Sequence, residues 1–514
     1  MPPSKRKNRS DRLNNSFLDR TGPRALLTDM YQLTMAYAYW KAGRADHEAV
    51  FHLFFRQHPF HGGFTLACGL ADCVKYMQAF SFDDSDLAYL AELRGGDGQP
   101  LFEAAFLPYL RALRPSLDVD AIPEGSAVFP QEPLLRVRGP ILQAQLVETA
   151  LLNIVNFQSL IATKAARVCL AAQGDPVVEF GLRRAQGVDG ALTASRAAFV
   201  GGCAATSNLM AGKIFGIPVR GTHAHSWVMS FDDELAAFKA YAGALPNNAF
   251  FLVDTYNSLE GVRHAVEAGK RLVQAGHRLG GIRLDSGDLA YLSIEARKIL
   301  DAGGFPDAQI LASNDLDEHV ITSLKQQGAA IQVWGVGTKL ITAYDQPALG
   351  GVYKLSALRK SDGTWQHKIK LSEQAAKASN PGILQVRRFQ QGHEFIGDAI
   401  YDELRPVPER FIIVDPLDAT RRKQIPEDAK WEDLLTPILR QGQAVGEPPA
   451  LQAIRQRAQS QLAMLHPGIK RFEHPHQYPA GLESGLHELK TRLILAAKKE
   501  PSFKAGLGFP EHSS

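Results

Sequence analysis

Seven short apolar runs recur through the middle of the chain: VVEF at 177–180, AFV at 198–200, IPV at 217–219, FFLV at 250–253, GIRL at 281–284, ILA at 310–312 and IQVWGV at 331–336. Most are followed at once by a polar or glycine-rich loop, and helical stretches such as 258–276 and 289–303 lie between them. A strand covered on both faces shows such an unbroken apolar run, and alternation with helices implies parallel pairing, because each crossover helix carries the chain back to start the next strand in the same direction. The rhythm predicts a parallel α/β barrel or a doubly wound sheet with its functional groups on the loops after the strands.

The flanks read differently. Thr28 or Asp29 can cap a helix running to about Lys41, AVFHLFFR at 49–56 has the pattern of a buried strand, 66–115 is helical in pattern, and Gly139-Pro140 opens a long helix. After 352 the βα rhythm stops, short strands and turns fill 365–415, and a Pro/Gly-rich patch at 442–449 precedes two helical stretches. The expected division is a disordered basic arm at 1–20, an α+β domain built from 21–140 and 352–440, an α/β barrel catalytic domain at 141–351, and a C-terminal helical extension at 441–514.

Composition excludes several classes of function. The 57 basic and 54 acidic side chains leave a net charge of +3, with Lys5, Arg6, Lys7, Arg9 and Arg12 gathered in the first residues, so neither nucleic acid nor a membrane surface is an expected partner. No apolar run approaches the ~20 residues of a membrane span, and the basic start lacks the apolar segment of a secretory signal. The four cysteines are scattered, as free thiols in a reducing cytoplasm would be.

The loops after the strands carry FGLRR at 180–184, GTHAHS at 221–226, DTY at 254–256, RLDSGD at 283–288, SND at 313–315 and GVGTK at 335–339. Arginine forks and glycine-loop amides bind phosphate oxygens, and carboxylates suit a magnesium ion bridging them, so the rim fits a phosphorylated sugar with metal. Each piece has a plainer use: 335–338 as a tight turn, 285–288 as a helix cap, Arg183 and Arg184 as a solvated pair. His223 and His225, two apart on a strand, could instead share a zinc ion in a barrel hydrolase, but His264 and His319 fall inside expected helices and supply no third ligand.

Taken together, LTDMYQ at 27–32, Phe55-Arg56 with Pro59-Phe60, EFGLRRAQG at 179–187, Gly221-Thr222 with Ala224-His225-Ser226, RLDSGDL at 283–289, Ser313-Asn314 and GVGT at 335–338 resemble the nicotinate phosphoribosyltransferases, of the type II phosphoribosyltransferase fold, over about 27–495. The resemblance implies an irregular parallel α/β barrel beside the N-terminal α+β domain. It implies that nicotinate and phosphoribosyl pyrophosphate give nicotinate mononucleotide and pyrophosphate, the first step of NAD salvage from nicotinate. It also implies ATP as a co-substrate hydrolysed through a phosphohistidine at His225, Mg2+ near Asp285 or Asp288, and a cytoplasmic homodimer whose sites are shared across the interface. Tyr31 would stack on the pyridine ring from the partner subunit, opposite Phe180; Arg183, Arg184, Thr222, Ser226 and Arg283 would hold substrate; Ser313, Asn314, Gly335, Gly337 and Thr338 would cradle the 5′-phosphate. Asp285 and Asp288 would act at the ribose hydroxyls. The nearest rival is a nicotinamide-using phosphoribosyltransferase, followed by the zinc hydrolase and a silent binding protein on the same scaffold.

Overall fold

The computed structural model describes residues 24–372 and 378–498, so the arm expected at 1–20 lies outside the described residues. Six strands form a parallel sheet: β1 (Val177–Glu179), β2 (Ala205–Thr206), β3 (Phe250–Leu252), β4 (Gly281–Leu284), β5 (Gln309–Ala312) and β6 (Val333–Val336). Their spatial order is β2-β1-β6-β5-β4-β3, every pair parallel. Val178, Ala205, Leu311 and Val333 make a small core on the inner face, with Phe180 packed against it. A cavity of about 400 Å³ touches central-strand residues and also Ala205 and Phe250 on the two edge strands. Edges that share one cavity belong to a sheet curled into a barrel.

Helices cover the outside, among them Glu148–Ala171, Val188–Val200, Ser258–Gln274 and Leu289–Ala302. The helix Ser258–Gln274 lies so close to the end of β3 that a Cβ on Gly261 would collide with the Val253 carbonyl, which only glycine avoids.

Two of the expected strands differ. The run 198–200 is the last turn of the helix Val188–Val200, in which Ala194, Ala197 and Ala198 are buried; a three-residue apolar run does not separate a strand from a buried helix. The run 217–219 contributes one parallel bridge, Val219 to Thr206, with the Thr206 N–H donating to Pro218 O and the Arg220 N–H donating to Thr206 O. Pro218 has no N–H to extend the ladder.

Beside the barrel, an antiparallel sheet runs in the order Trp365–His367, Gly351–Arg359, Glu48–Phe55, Leu135–Pro140, Asp118–Ala121, Thr436–Arg440, Gln443–Ala444. Strands that follow the barrel in sequence thus flank strands that precede it. A further six-stranded sheet is built from Arg422–Gln424, Ile412–Val414, Ala480–Glu483, Glu394–Asp402, Leu384–Gln391 and Lys430–Asp433. Its third strand falls within the helical extension expected at 441–514: the helices Leu451–Ala463 and Ser484–Lys498 are present, but Ala480–Glu483 between them sits inside the sheet, parallel to Glu394–Asp402 and antiparallel to Ile412–Val414. Four residues, AGLE, carry no periodicity of their own, and only partners distant in sequence make them a strand. Among the described residues no helix is long and apolar enough to cross a membrane.

Candidate active site

The loops after β1, β3, β4, β5 and β6 meet at one end of the barrel, as parallel strands require. Arg283, at the third position of β4, organises them. Its Nε donates to Ser313 Oγ at 2.8 Å, Nη2 to Asp285 Oδ1 at 2.8 Å and Nη1 to Thr222 Oγ1 at 3.4 Å, and its guanidinium lies 5.6 Å from the centre of the Phe180 ring. Ser313 also donates to Asp285 Oδ1. Burial raises the Asp285 carboxyl, but the Ser313 hydroxyl and the Arg283 guanidinium outweigh it and hold the group below the usual carboxylate range.

The two histidines face opposite ways. The His225 side chain is 41% exposed, its Nδ1 lies 3.2 Å from Thr255 Oγ1 and its Nε2 3.9 Å from Asp285 Oδ2. His223 is buried; its Nε2 accepts the Leu252 N–H at 3.2 Å and its ring meets Tyr241 edge-on at 4.8 Å. Burial holds its pKa down to about 4. With its Nε2 lone pair committed to the backbone, His223 is a packed structural imidazole, and the two-histidine zinc arrangement does not form. Among the described residues no group of three or more His, Cys, Asp or Glu side chains could hold a metal ion by itself.

Other expected residues are placed as follows. Gly335 and Gly337 lie against Phe180: a Cβ on Gly335 would come within 2.6 Å of the ring, and one on Gly337 within 3.2 Å of the Phe180 carbonyl oxygen. Asn314 has φ 107° and Asp315 φ 33°, a left-handed turn directly after Ser313. Thr338 starts the short helix Thr338–Ile341. Ser226 is exposed beside His225 in the helix His225–Met229. Arg183 and Arg184 project from the turn Leu182–Arg184 and are exposed, outside the Arg283 cluster. Asp288 is apart from it too: its Oδ1 accepts the Tyr291 N–H at 3.1 Å as the N-cap of Leu289–Ala302. Tyr31, 48% exposed on the helix Met30–Lys41, has its hydroxyl at Glu148 and Thr149, and Leu27, Met30 and Met35 are exposed near it.

Three further features emerge only in the folded chain. Asp254, after β3, accepts from the Asp285 N–H at 2.9 Å and from Ser286 Oγ at 2.6 Å, while its Oδ1 is buried without a partner; the sequence placed its loop on the rim, and only the fold sets its partners. Glu179, fully buried before Phe180, accepts from Ser195 Oγ at 2.9 Å, Thr206 Oγ1 at 2.6 Å and the Gly181 N–H. It ties the Phe180 turn to β2 and, through Thr206, to 218–220. On the face that bears Tyr31, Lys354 is pushed down by burial, with Arg56 and Lys370 adding repulsion and Glu148 opposing it.

Comparison with known proteins gives a consistent result. The N-terminal domain profile of the nicotinate phosphoribosyltransferase (NAPRTase) family matches residues 26–156, the NAPRTase family profile 176–391 and the C-terminal domain profile 385–490. The nicotinate phosphoribosyltransferase of Bacillus subtilis (strain 168) is 44% identical over 484 residues, covering 91% of this chain and 96% of the relative. That of Homo sapiens is 38% identical over 536 residues, covering 92% and 97%. The crystal structure of human nicotinic acid phosphoribosyltransferase superposes with a TM-score of 0.78 at 36% identity, covering 91% of this chain and 99% of that one. The crystal structure of nicotinate-nucleotide pyrophosphorylase from Pyrococcus furiosus, at 23% identity and a TM-score of 0.64 over 85% of this chain and 94% of that one, has a similar fold.

Proposed function

The chain belongs to the nicotinate phosphoribosyltransferase family, with the type II phosphoribosyltransferase fold and the transfer of a phosphoribosyl group to nicotinate as its activity; from that premise we propose how its residues divide the work. The observation that carries the reading is Arg283, a guanidinium braced by three side chains and lying over the Phe180 ring.

Nicotinate lies against Phe180 with its carboxylate on Arg283. A carboxamide brings no negative charge to that guanidinium, which is why nicotinate is favoured over nicotinamide. The pyridine nitrogen lone pair forms the bond to the anomeric carbon while the carbon–oxygen bond breaks and its electron pair leaves on pyrophosphate. The attacking nitrogen carries no proton, so no general base is needed, and catalysis comes from positioning and from stabilising the leaving group. The turn at Ser313, Asn314 and Asp315, together with Gly335, Gly337 and Thr338, cradles the 5′-phosphate; Arg183, Arg184 and Ser226 line the approach for the pyrophosphate oxygens.

ATP is the co-substrate, as in a ligase. With Nδ1–H donating to Thr255, His225 keeps its Nε2 lone pair for the γ-phosphorus, and the phosphorus–oxygen bond to ADP breaks as the N–P bond forms. Water later cleaves the phosphohistidine. Asp285, whose Oδ2 is outside the contacts with Arg283 and Ser313, and Asp254, whose Oδ1 is unpartnered, are the carboxylates that would hold Mg2+. Mg2+ there would neutralise charge on the departing group. Asp288, committed to its helix cap, is the weaker candidate.

A homodimer completes the site. The exposed Leu27, Met30, Tyr31 and Met35 form an apolar face, next to the mutually repelling Arg56, Lys354 and Lys370. Against a second copy, Tyr31 of the partner subunit closes over the pyridine ring opposite Phe180, and the cations meet its anionic substrate. Four free cysteines accord with a cytoplasmic setting. The test is incubation with γ-labelled ATP followed by mass-spectrometric location of the phosphate. Acid-labile label is expected on His225 and none in His225→Ala; undiminished labelling of that variant refutes the assignment.

A further inference from the structure

At the opposite end of the barrel from Arg283, a cavity of about 450 Å³ lies between the last turns of the long helix Glu148–Ala171 and the later helix Leu451–Ala463. Its floor is Pro176 and Val177, entering β1, and Ala204, entering β2. One wall is Ala166, Cys169 and Leu170, spaced to share a helix face; the other is Arg455, Gln459, Leu462 and Ala463, spaced likewise. Lys470, from the turn after the second helix, closes the rim.

The charges at this cavity are unequal. Asp175 is neutralised by Lys325 at 2.7 Å and by the Trp334 indole N–H at 3.0 Å. Arg455 is anchored but not neutralised: Nη2 donates to Gly202 O at 2.8 Å, the guanidinium lies 5.0 Å from the Phe199 ring centre, and Nε–H is buried without an acceptor. Lys470 likewise donates to a backbone carbonyl, Leu462 O, at 2.8 Å; burial lowers its pKa, with Glu394 acting in the opposite sense. Two cations therefore border an aliphatic cavity, with a backbone carbonyl as each one's hydrogen-bond partner. No aromatic face lines it, which disfavours a nucleobase or pyridine ring.

We propose that this cavity is a second binding site, for a small aliphatic monocarboxylate whose chain lies between the two helices and whose carboxylate meets Arg455 and Lys470. The site is independent of the assignments at Arg283 and His225.

Cys169 offers a direct reading of occupancy, because it is the partly exposed thiol while Cys68, Cys73 and Cys203 are buried. Alkylation of Cys169 in the full chain by iodoacetamide, followed by mass spectrometry, is measured with octanoate, octylamine or inorganic phosphate present. Octanoate at about ten times its dissociation constant is expected to slow labelling about tenfold by occupancy. Octylamine and phosphate leave the rate unchanged, and Arg455→Met or Lys470→Met removes the protection. The proposal is overturned if octanoate at about 10 mM, enough to reveal even a millimolar site, gives no protection. It is also overturned if octylamine or phosphate protects equally, or if both variants keep full protection. Should Arg455→Met fail to fold, Lys470→Met decides.

Discussion

His223 accepts the Leu252 N–H through Nε2 and is buried against Tyr241, so protonation breaks a backbone hydrogen bond as well as charging a buried ring. Its folded pKa of about 4 lies below the unfolded value of 6.5, so the unfolded chain takes up the proton first. The stabilisation is complete above pH 6.5 and is lost as the pH falls from there to about 4. Discounted for solvent screening, the loss is about 2 kcal/mol. Chemical denaturation near both ends of that range should show wild type losing about that much more than His223→Gln; equal losses would remove His223 from the acid response. At Asp288 the same measurement separates a cap from a metal ligand. Asp288→Ala is expected to destabilise the protein by about 1 kcal/mol, the usual loss for an N-cap, with kcat retained. A collapse of activity at unchanged stability would return Asp288 to the proposed Mg2+ ligands.

At the scale of elements, the site depends on how closely β6 approaches the turn after β1. Gly335 has no side chain because the Phe180 ring occupies that space, and Glu179 fastens the same turn from behind. Gly335→Ala must displace the Phe180 ring, on which the proposed function places the pyridine. We expect the nicotinate KM to rise about tenfold, corresponding to about 1.4 kcal/mol of lost binding, with the KM for phosphoribosyl pyrophosphate less affected. Equal changes in both would indicate general distortion of the rim. The two short runs, 198–200 and 217–219, show how far local pattern reaches: both read as strands, but the first is the last turn of a buried, alanine-rich helix, and in the second only Ile217 is buried while the exposed Pro218 limits pairing to one bridge.

For the whole molecule, shared sites make a prediction that no single-chain mechanism makes. If Tyr31 serves the partner's site, Tyr31→Ala and His225→Ala place their defects in the same site of one mixed dimer and leave its other site intact. Once each variant alone has been measured as inactive in ATP-coupled turnover, subunits of the two, mixed equally and allowed to exchange, should regain about a quarter of wild-type activity by random pairing in a twofold dimer. Recovery of none under demonstrated exchange would put Tyr31 outside the partner's site.

Most of the barrel and its rim was legible because it is written in local terms. Unbroken apolar runs mark buried strands, and a parallel sheet carries every following loop to one end, so Arg283, Asp285, Ser313, Gly335 and His225 could be grouped without coordinates. Which polar group does what was not legible, because hydrogen-bond partners come from segments far apart in the chain. His223 and His225 are alike in sequence until Leu252 and Thr255 take one nitrogen from each. Asp288 stands in the motif yet spends its carboxylate on Tyr291, while Asp254 keeps a free oxygen beside Asp285. By itself the sequence determined which chain segments are buried and which loops gather; tertiary structure alone decided the pairing of Ala480–Glu483 and the partner of every buried polar atom. Burial follows from composition and period, whereas a hydrogen bond requires two groups brought to within about 3 Å by the whole fold.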